Sequence, residues 1–236
     1  METVVHKAGS RGHANHGWLE SHHTFSFAGY NNPERMNFGV LRVLNDDKVV
    51  GGRGFGTHPH DNMEIISIPL SGDLEHKDSI GTHGVIKEGE IQVMSAGTGV
   101  FHSEYNKDAE VPVAFLQIWL FPNEQGVTPR YDQQSIKELE KPNGFYQILS
   151  PNKNDDGVWI HQDAYFHMGK FEGNTEAIYE MKNPNNGLYV FVIYGELFVG
   201  DQELISRDGM GIVAQEIINF KFKTNTHVLL MEMPMV

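Results

Sequence analysis

The feature that most constrains this chain is the recurrence of short apolar runs rich in Val, Ile and Phe, many of them bounded by a glycine-bearing turn. Phe38–Leu44, Glu64–Leu70, Glu90–Met94, Val113–Phe121, Tyr189–Tyr194, Leu197–Val199 and Val228–Met231 all have this form. Such runs fit buried strands and are too short for independent helices. Glycine supplies the turns: 25 of 236 residues, about 11% against a usual ~7%. One segment, Gln133–Glu140, reads as a helix of about two turns. It lies in the polar stretch Asn123–Gly144, with Pro129 and Pro142. The chain is therefore expected to be all-β with few short helices. Residues 1–122 form an N-terminal domain, 123–144 a linker and 145–236 a C-terminal domain.

The two halves carry a weak internal repeat. Ile65–Leu74 ends an apolar strand on Ser71-Gly72-Asp73-Leu74, and Tyr189–Leu197 ends one on Tyr194-Gly195-Glu196-Leu197. Glu88-Gly89-Glu90-Ile91 likewise resembles Asp208-Gly209-Met210-Gly211. Self-similarity of this kind suggests two related β-barrels.

Two short motifs carry the chemistry. Alternate residues of an extended chain face the same way, so His58 and His60 in Thr57-His58-Pro59-His60 form a chelating pair. His102 and Glu104 in Phe101-His102-Ser103-Glu104 repeat the spacing. Two such strands facing each other would gather three imidazoles and a carboxylate. Glu64 is a rival carboxylate: it shares the face of His60 if the strand runs regularly, unless Asp61-Asn62 bulge the chain. It then serves as a ligand, as an acceptor that orients a histidine, or as a structural group. With no cysteine among 236 residues, any metal must be held by nitrogen and oxygen. That donor set suits iron, zinc, copper, nickel, cobalt or manganese.

Other histidines read as structural or solvated. At most one of His22 and His23 faces inward; His13 and His16 lie in a polar start; His76 and His83 flank the turn at Asp78–Gly81 and are expected to be exposed, a second reading placing one of them at the pocket rim. Arg53 and Phe55 could line a pocket for a planar aromatic ligand, and Met231–Val236 reads as a terminal strand.

The charge balance, 18 basic against 31 acidic residues for a net −13, repels nucleic-acid phosphates and anionic lipid. The first 17 residues lack the apolar core of a signal peptide, and no apolar stretch is long enough to span a bilayer. These features point to a cytoplasmic protein without direct nucleic-acid or membrane contact. No phosphate-cradling Gly-Lys motif or Gly-X-Ser-X-Gly elbow is present, which argues against NTPase and serine-hydrolase chemistry.

The motifs match the cupin pattern and in detail resemble the pirin family. The stretches that carry the likeness are Gly17-Trp18-Leu19-Glu20-Ser21-His22-His23-Thr24-Phe25-Ser26-Phe27, Thr57-His58-Pro59-His60 with Met63-Glu64-Ile65, and Met94-Ser95-Ala96-Gly97-Thr98-Gly99-Val100-Phe101-His102-Ser103-Glu104-Tyr105-Asn106. Leu116–Trp119 and Thr128–Tyr131 extend it. The resemblance implies a bicupin, two β-barrels of the double-stranded β-helix type. One divalent transition metal, Fe(II) first, sits in the N-terminal barrel on His58, His60, His102 and Glu104. It further implies a dioxygenase that opens the heterocycle of a flavonol such as quercetin, with a small aromatic substrate, O2 as co-substrate and Glu104 as proton acceptor. The alternative within the family is a metal-containing regulatory protein that binds a protein partner without turnover. Aligning Gly195 with Gly72 and Gly209 with Gly89 puts Met181, Asn183 and Gly187 at the places of His58, His60 and Glu64. It puts Phe222 and Thr224 at those of His102 and Glu104, so the C-terminal barrel is expected to be metal-free.

Overall fold

The computed structural model describes residues 2–235. The alternating apolar runs become strands, arranged as two units that each pair a seven-stranded sheet with a four-stranded one. In the N-terminal unit the large sheet runs Arg130–Ser135, Glu90–Ser95, Glu64–Ser71, Val113–Leu120, Leu41–Val49, Leu19–His23, Gly12–Asn15. The small sheet runs Gly54–His60, Val100–Asn106, Leu74–Asp78, His83–Ile86. The C-terminal unit repeats both orders except at one edge of the large sheet, where Val158–Trp159 follows Gly144–Ser150 and pairs with it in parallel while Gly12–Asn15 precedes Leu19–His23 and is antiparallel to it. Its large sheet is Glu2–His6, Gly209–Val213, Asn186–Tyr194, Thr226–Pro234, Tyr165–Phe171, Gly144–Ser150, Val158–Trp159, and its small sheet is Thr175–Glu180, Ile217–Phe222, Glu196–Val199, Gln202–Ile205. The sheets of each unit share core residues: Leu19, Val49 and Val113 pack with Leu74 and Ile86, and Leu188 and Val190 with Leu197, Leu204 and Phe220.

The repeat seen in the sequence is thus structural. Gly72 and Gly195 turn the chain between the sheets in the left-handed region, at φ 74° and 98°, which glycine enters without a steric cost. The second anchor needs correction. Ladder partners place Arg207 (φ 69°), not Gly209, at the position of Gly89 (φ 81°). The strand pairings likewise put Tyr179 and Met181 at the places of His58 and His60, and Ile218 and Phe220 at those of His102 and Glu104. The connecting loops differ in length between the halves, which an ungapped alignment cannot see. None of these four side chains is an imidazole or a carboxylate.

The segment expected to be a linker is built into the fold. Arg130–Ser135 is an edge strand on Glu90–Ser95, and only one 3-10 turn, Lys137–Leu139, stands where the helix Gln133–Glu140 was expected. Cross-strand pairing outweighs a two-turn helical pattern, because isolated helices of that length are unstable. Glu2–His6 takes the matching edge of the C-terminal sheet, pairing with Gly209–Val213. A strand from the start of the chain therefore covers the edge of the second unit, which would otherwise present unpaired backbone groups. It is tied down by Lys7 Nζ to Asp208 at 2.8 Å and by His6 Nδ1 to the Tyr189 hydroxyl at 2.8 Å.

A single apolar cluster joins the two units. It holds Leu44, Ile66, Ile68, Ile118 and Phe25 from the first, and Ile148, Phe166, Tyr189 and Met231 from the second. Asp46 adds ion pairs to Arg11 at 3.2 Å and Arg207 at 3.0 Å. The Met-rich end is a strand as far as Pro234, Thr226–Pro234; Met235 lies beyond it and Val236 is outside the described residues. Among the described residues no helix is long and apolar enough to cross a membrane.

Candidate metal centre

His58 and His60 lie on Gly54–His60, and His102 and Glu104 on the neighbouring Val100–Asn106. Val100 pairs with His60 and His102 with His58, but Glu104 pairs with Phe55, so the first strand bulges by one residue between them. The bulge re-aims the local side chains. It also brings the backbones close at Gly54, where a Cβ would lie 2.2 Å from the Glu104 carbonyl.

The three imidazoles converge. Ring centroids of His58 and His102 are 4.4 Å apart, of His58 and His60 4.8 Å, and of His60 and His102 4.9 Å. Ligand atoms of all three lie within 4.8 Å of one another. His58 Nδ1 is 2.8 Å from the Gly56 carbonyl; donating there leaves Nε2 with its lone pair. His60 Nε2 and both nitrogens of His102 are buried with no protein partner. Burial, with neighbouring imidazoles, pushes His60 down to about 4 and His102 down to about 2. His60 and His102 are therefore neutral, with lone pairs free in the space that the three rings share. Buried polar atoms normally find a partner, and a divalent cation is the partner this cluster fits.

Glu104 joins through His102. A carboxylate oxygen of Glu104 and ring nitrogens of His102 and His76 lie within 4.8 Å of one another. Burial raises Glu104 to about 7; a cation beside it would reverse that direction. Ser67 Oγ lies 2.9 Å from both Glu104 Oε1 and the Gln117 side-chain amide. The atom facing it on Gln117 is Oε1, so both neighbours are acceptors, and the single hydroxyl hydrogen is donated to Glu104 or to Gln117, one at a time.

Glu64 is not part of this cluster. Asn62 turns at φ 45°, and the chain moves from the small sheet into the large one. Glu64 then faces the other unit, accepting from Ser95 Oγ at 2.9 Å and from the His161 backbone N–H at 3.2 Å. It is an interface residue rather than a ligand or an orienting acceptor. His76 also departs from expectation. It is fully buried, with Nε2 3.0 Å from Asp78 Oδ2 and Nδ1 unpartnered, and its ring is 5.4 Å from that of His102. Its flanking turn gave it the look of a loop residue, but strand alternation from Leu74 points it inward. His83 is exposed as expected. His23 faces inward and His22 outward, stacked on His13 at 4.7 Å. Arg53 is exposed, whereas Phe55 lines the cavity beside the imidazoles.

That cavity has a volume of about 890 Å³ and reaches His58 and Glu104. Its walls are aromatic: Phe27 meets Trp119 edge-on at 5.4 Å, and Trp18 meets Phe55 at 5.3 Å. Asp47 lines it too, accepting a hydrogen bond from Ser21. Burial pushes Asp47 from 3.8 up to about 7, against the pull of Ser21. An acid raised on folding contributes its full stability below its unfolded pKa and loses it as pH rises through the folded one. In metal-stripped protein, Asp47→Asn should therefore stabilise at pH 8, on the order of 2–4 kcal/mol, and give no gain at pH 4. Urea denaturation at the two pH values checks this; an equal effect at both would contradict it.

Comparisons with known proteins identify the family. Residues 4–120 match the Pirin family model, and residues 147–233 match a quercetinase C-terminal cupin domain. The chain is 39% identical over 232 residues to quercetin 2,3-dioxygenase of Escherichia coli K12, covering 98% of this chain and 99% of that protein. It is 34% identical over 222 residues to a pirin-like protein of Caulobacter vibrioides, covering 94% and 95%. The crystal structure of Escherichia coli YhhW superposes with a TM-score of 0.94 at 38% identity, covering 100% of this chain and 99% of that one. YhhW in complex with nickel(II) superposes at 0.93 and 38% identity, with both chains covered in full. With the fold, the paired domains and near full-length relatives in agreement, this chain is a member of the pirin family of two-domain cupins.

Proposed function

We propose that this protein is a metal-dependent dioxygenase that cleaves the heterocycle of a flavonol such as quercetin, with His58, His60, His102 and Glu104 holding one divalent metal, Fe(II) first. The observation that carries the reading is the convergence of three imidazoles, two of them with buried nitrogens that have no protein partner, beside a large aromatic-walled cavity that His58 lines. Near full-length likeness to proteins named quercetin 2,3-dioxygenase supports it.

Bound there, the metal supplies Lewis acidity toward a substrate hydroxyl and an electron path to O2. The rest is work for the chain itself. Phe27, Trp119, Trp18 and Phe55 offer flat apolar faces and edges to a planar ring system and keep water from it. Glu104 accepts the proton of the hydroxyl at its carboxylate, and Ser67 can donate to that group. Overall, flavonol and O2 are converted to carbon monoxide and a phenolic ester, which accounts for every atom.

The test is reconstitution of metal-free protein with Fe(II) and, separately, nickel(II), following loss of quercetin absorbance with and without O2. Oxygen-dependent loss with carbon monoxide release supports the reading. Full metal loading without turnover of any flavonol sinks it and favours a regulatory, protein-binding role. Glu104→Gln should lower kcat by about 100-fold or more, the range of a lost general base. Unchanged turnover at full metal content would remove Glu104 from the proton-accepting role.

A further inference from the structure

The interior of the N-terminal unit is layered. At one end Leu19, Val49, Val113 and Leu74 form an apolar plug, and at the other Ile65, Met94 and Val100 form a second, with Trp119 against it. Between them runs one row of polar side chains, a single residue from each of five adjacent strands of the large sheet. Gln92 pairs with Ser67, Ser67 with Gln117, Gln117 with Asn45 and Asn45 with His23. Each of these residues is at most 7% exposed. Ser67 joins the row to Glu104, and Gln117, Asn45 and His23 line the same cavity as His58.

Polar groups so deeply buried are costly unless they are paired. Yet Asn45 Oδ1 and His23 Nδ1 have no partner in the protein. The second unit offers an internal control. At the positions of Gln92, Ser67 and Gln117, read through the matching pairs Met210–Val190 and Val190–Leu230, stand three apolar residues within one continuous core. At the positions of Asn45 and His23 stand His167 and Gln147, so the second unit keeps polar residues at these two and apolar ones at the other three. The full row of five occurs where the imidazoles and the cavity are.

We propose that His23 and Asn45 form a specificity subsite that reads hydroxyl groups on the part of the substrate farthest from Glu104, with Gln117 between them and Ser67; this rests on the flavonol reading above. From Ser67 to His23 the row crosses three strand spacings, roughly 14 Å, enough to follow a chain of linked rings away from the metal ligands. The side-chain amides and the imidazole can each donate or accept, which suits phenolic hydroxyls. Among the described residues no Lys or Arg lines the cavity to pair with a substrate carboxylate. The occupant is thus a polyhydroxylated aromatic rather than an aromatic acid.

The experiment compares quercetin, which bears further ring hydroxyls, with 3-hydroxyflavone, which keeps only the hydroxyl next to the carbonyl. Binding to the nickel(II)-loaded protein without O2 is read by quenching of tryptophan fluorescence, and kcat/KM is read with O2 on the iron-loaded protein. Wild type should favour quercetin by about ten-fold or more, the size of one or two net hydrogen bonds. In Asn45→Leu, and independently in His23→Phe, the ratio should fall toward one through selective loss of quercetin. Metal content and thermal midpoint show that each variant is folded, and the second variant carries the test if the first is not. A wild type that does not discriminate, or variants that keep the wild-type ratio, would overturn the subsite while leaving the flavonol reading intact. A wild type that neither binds nor turns over 3-hydroxyflavone or quercetin overturns the flavonol reading, and the subsite with it.

Discussion

Replacing His102 with alanine is expected to abolish metal retention while leaving the apo-protein folded. His102 belongs to both ligand groups in this region, the one with His58 and His60 and the one with His76 and Glu104, so its loss breaks both. Losing a group that merely orients a ligand costs 10–100-fold in metal affinity; losing this shared ligand should exceed about 100-fold. His58→Ala should cost less, because it leaves the group of His102 with Glu104 and His76 unbroken. His76→Gln should stay near the lower bound, since His76 Nε2 is engaged with Asp78. Stability moves differently. His102 is buried, neutral and without a partner, so its removal leaves no stranded donor or charge, and the apo midpoint should change little. Only the extra stability that metal gives the folded state by mass action is lost. Metal content after chelator competition, with melting curves with and without nickel(II), reads both quantities. His102→Ala that keeps stoichiometric metal would show that the three imidazoles are not the site.

The gathering of His58, His60 and His102 was legible from the family resemblance and from strand alternation, which is local: a spacing of two fixes a shared face along a regular strand. The overall class was legible for the same reason, since short apolar runs between glycine turns have few other solutions. What depended on distant partners was harder to see. Glu64 follows His60 closely in the chain, yet the turn at Asn62 sends it to the interface with His161. Arg130–Ser135 is polar and looked like linker until a neighbouring strand edge accounted for it. His76 and the row of buried amides were missed although each carries a signal, a polar residue at an inward position of an apolar strand. Ser67 in Ile65-Ile66-Ser67-Ile68 and Gln117 in Leu116-Gln117-Ile118-Trp119 are examples. A single such residue reads as an interruption, and only the register across five strands turns them into one feature.

Tyr189→Ala should destabilise the whole molecule by about 3–5 kcal/mol, the range for removing a large aromatic from a core. At this chain length that lowers the melting midpoint by roughly 10–15 °C. Tyr189 is fully buried at the junction of the units. Its ring lies 5.6 Å from Phe25 and 5.5 Å from Phe38 of the first unit, and its hydroxyl meets His6 on the strand that crosses to the second. One side chain thus ties together both units and the exchanged strand. Tyr189→Phe isolates the hydroxyl: it keeps the packing but strands His6 Nδ1, for a cost of about 1–2 kcal/mol. Because the apolar cluster is continuous across the junction, the alanine variant should still melt in one transition. Amide exchange at Val4 and Val5, whose backbones pair with Gly211 and Met210, should accelerate, since their strand loses its anchor. Two separate transitions, with metal binding by the N-terminal unit untouched through the first, would mean that the units fold independently and that the exchanged strand covers an edge without coupling them.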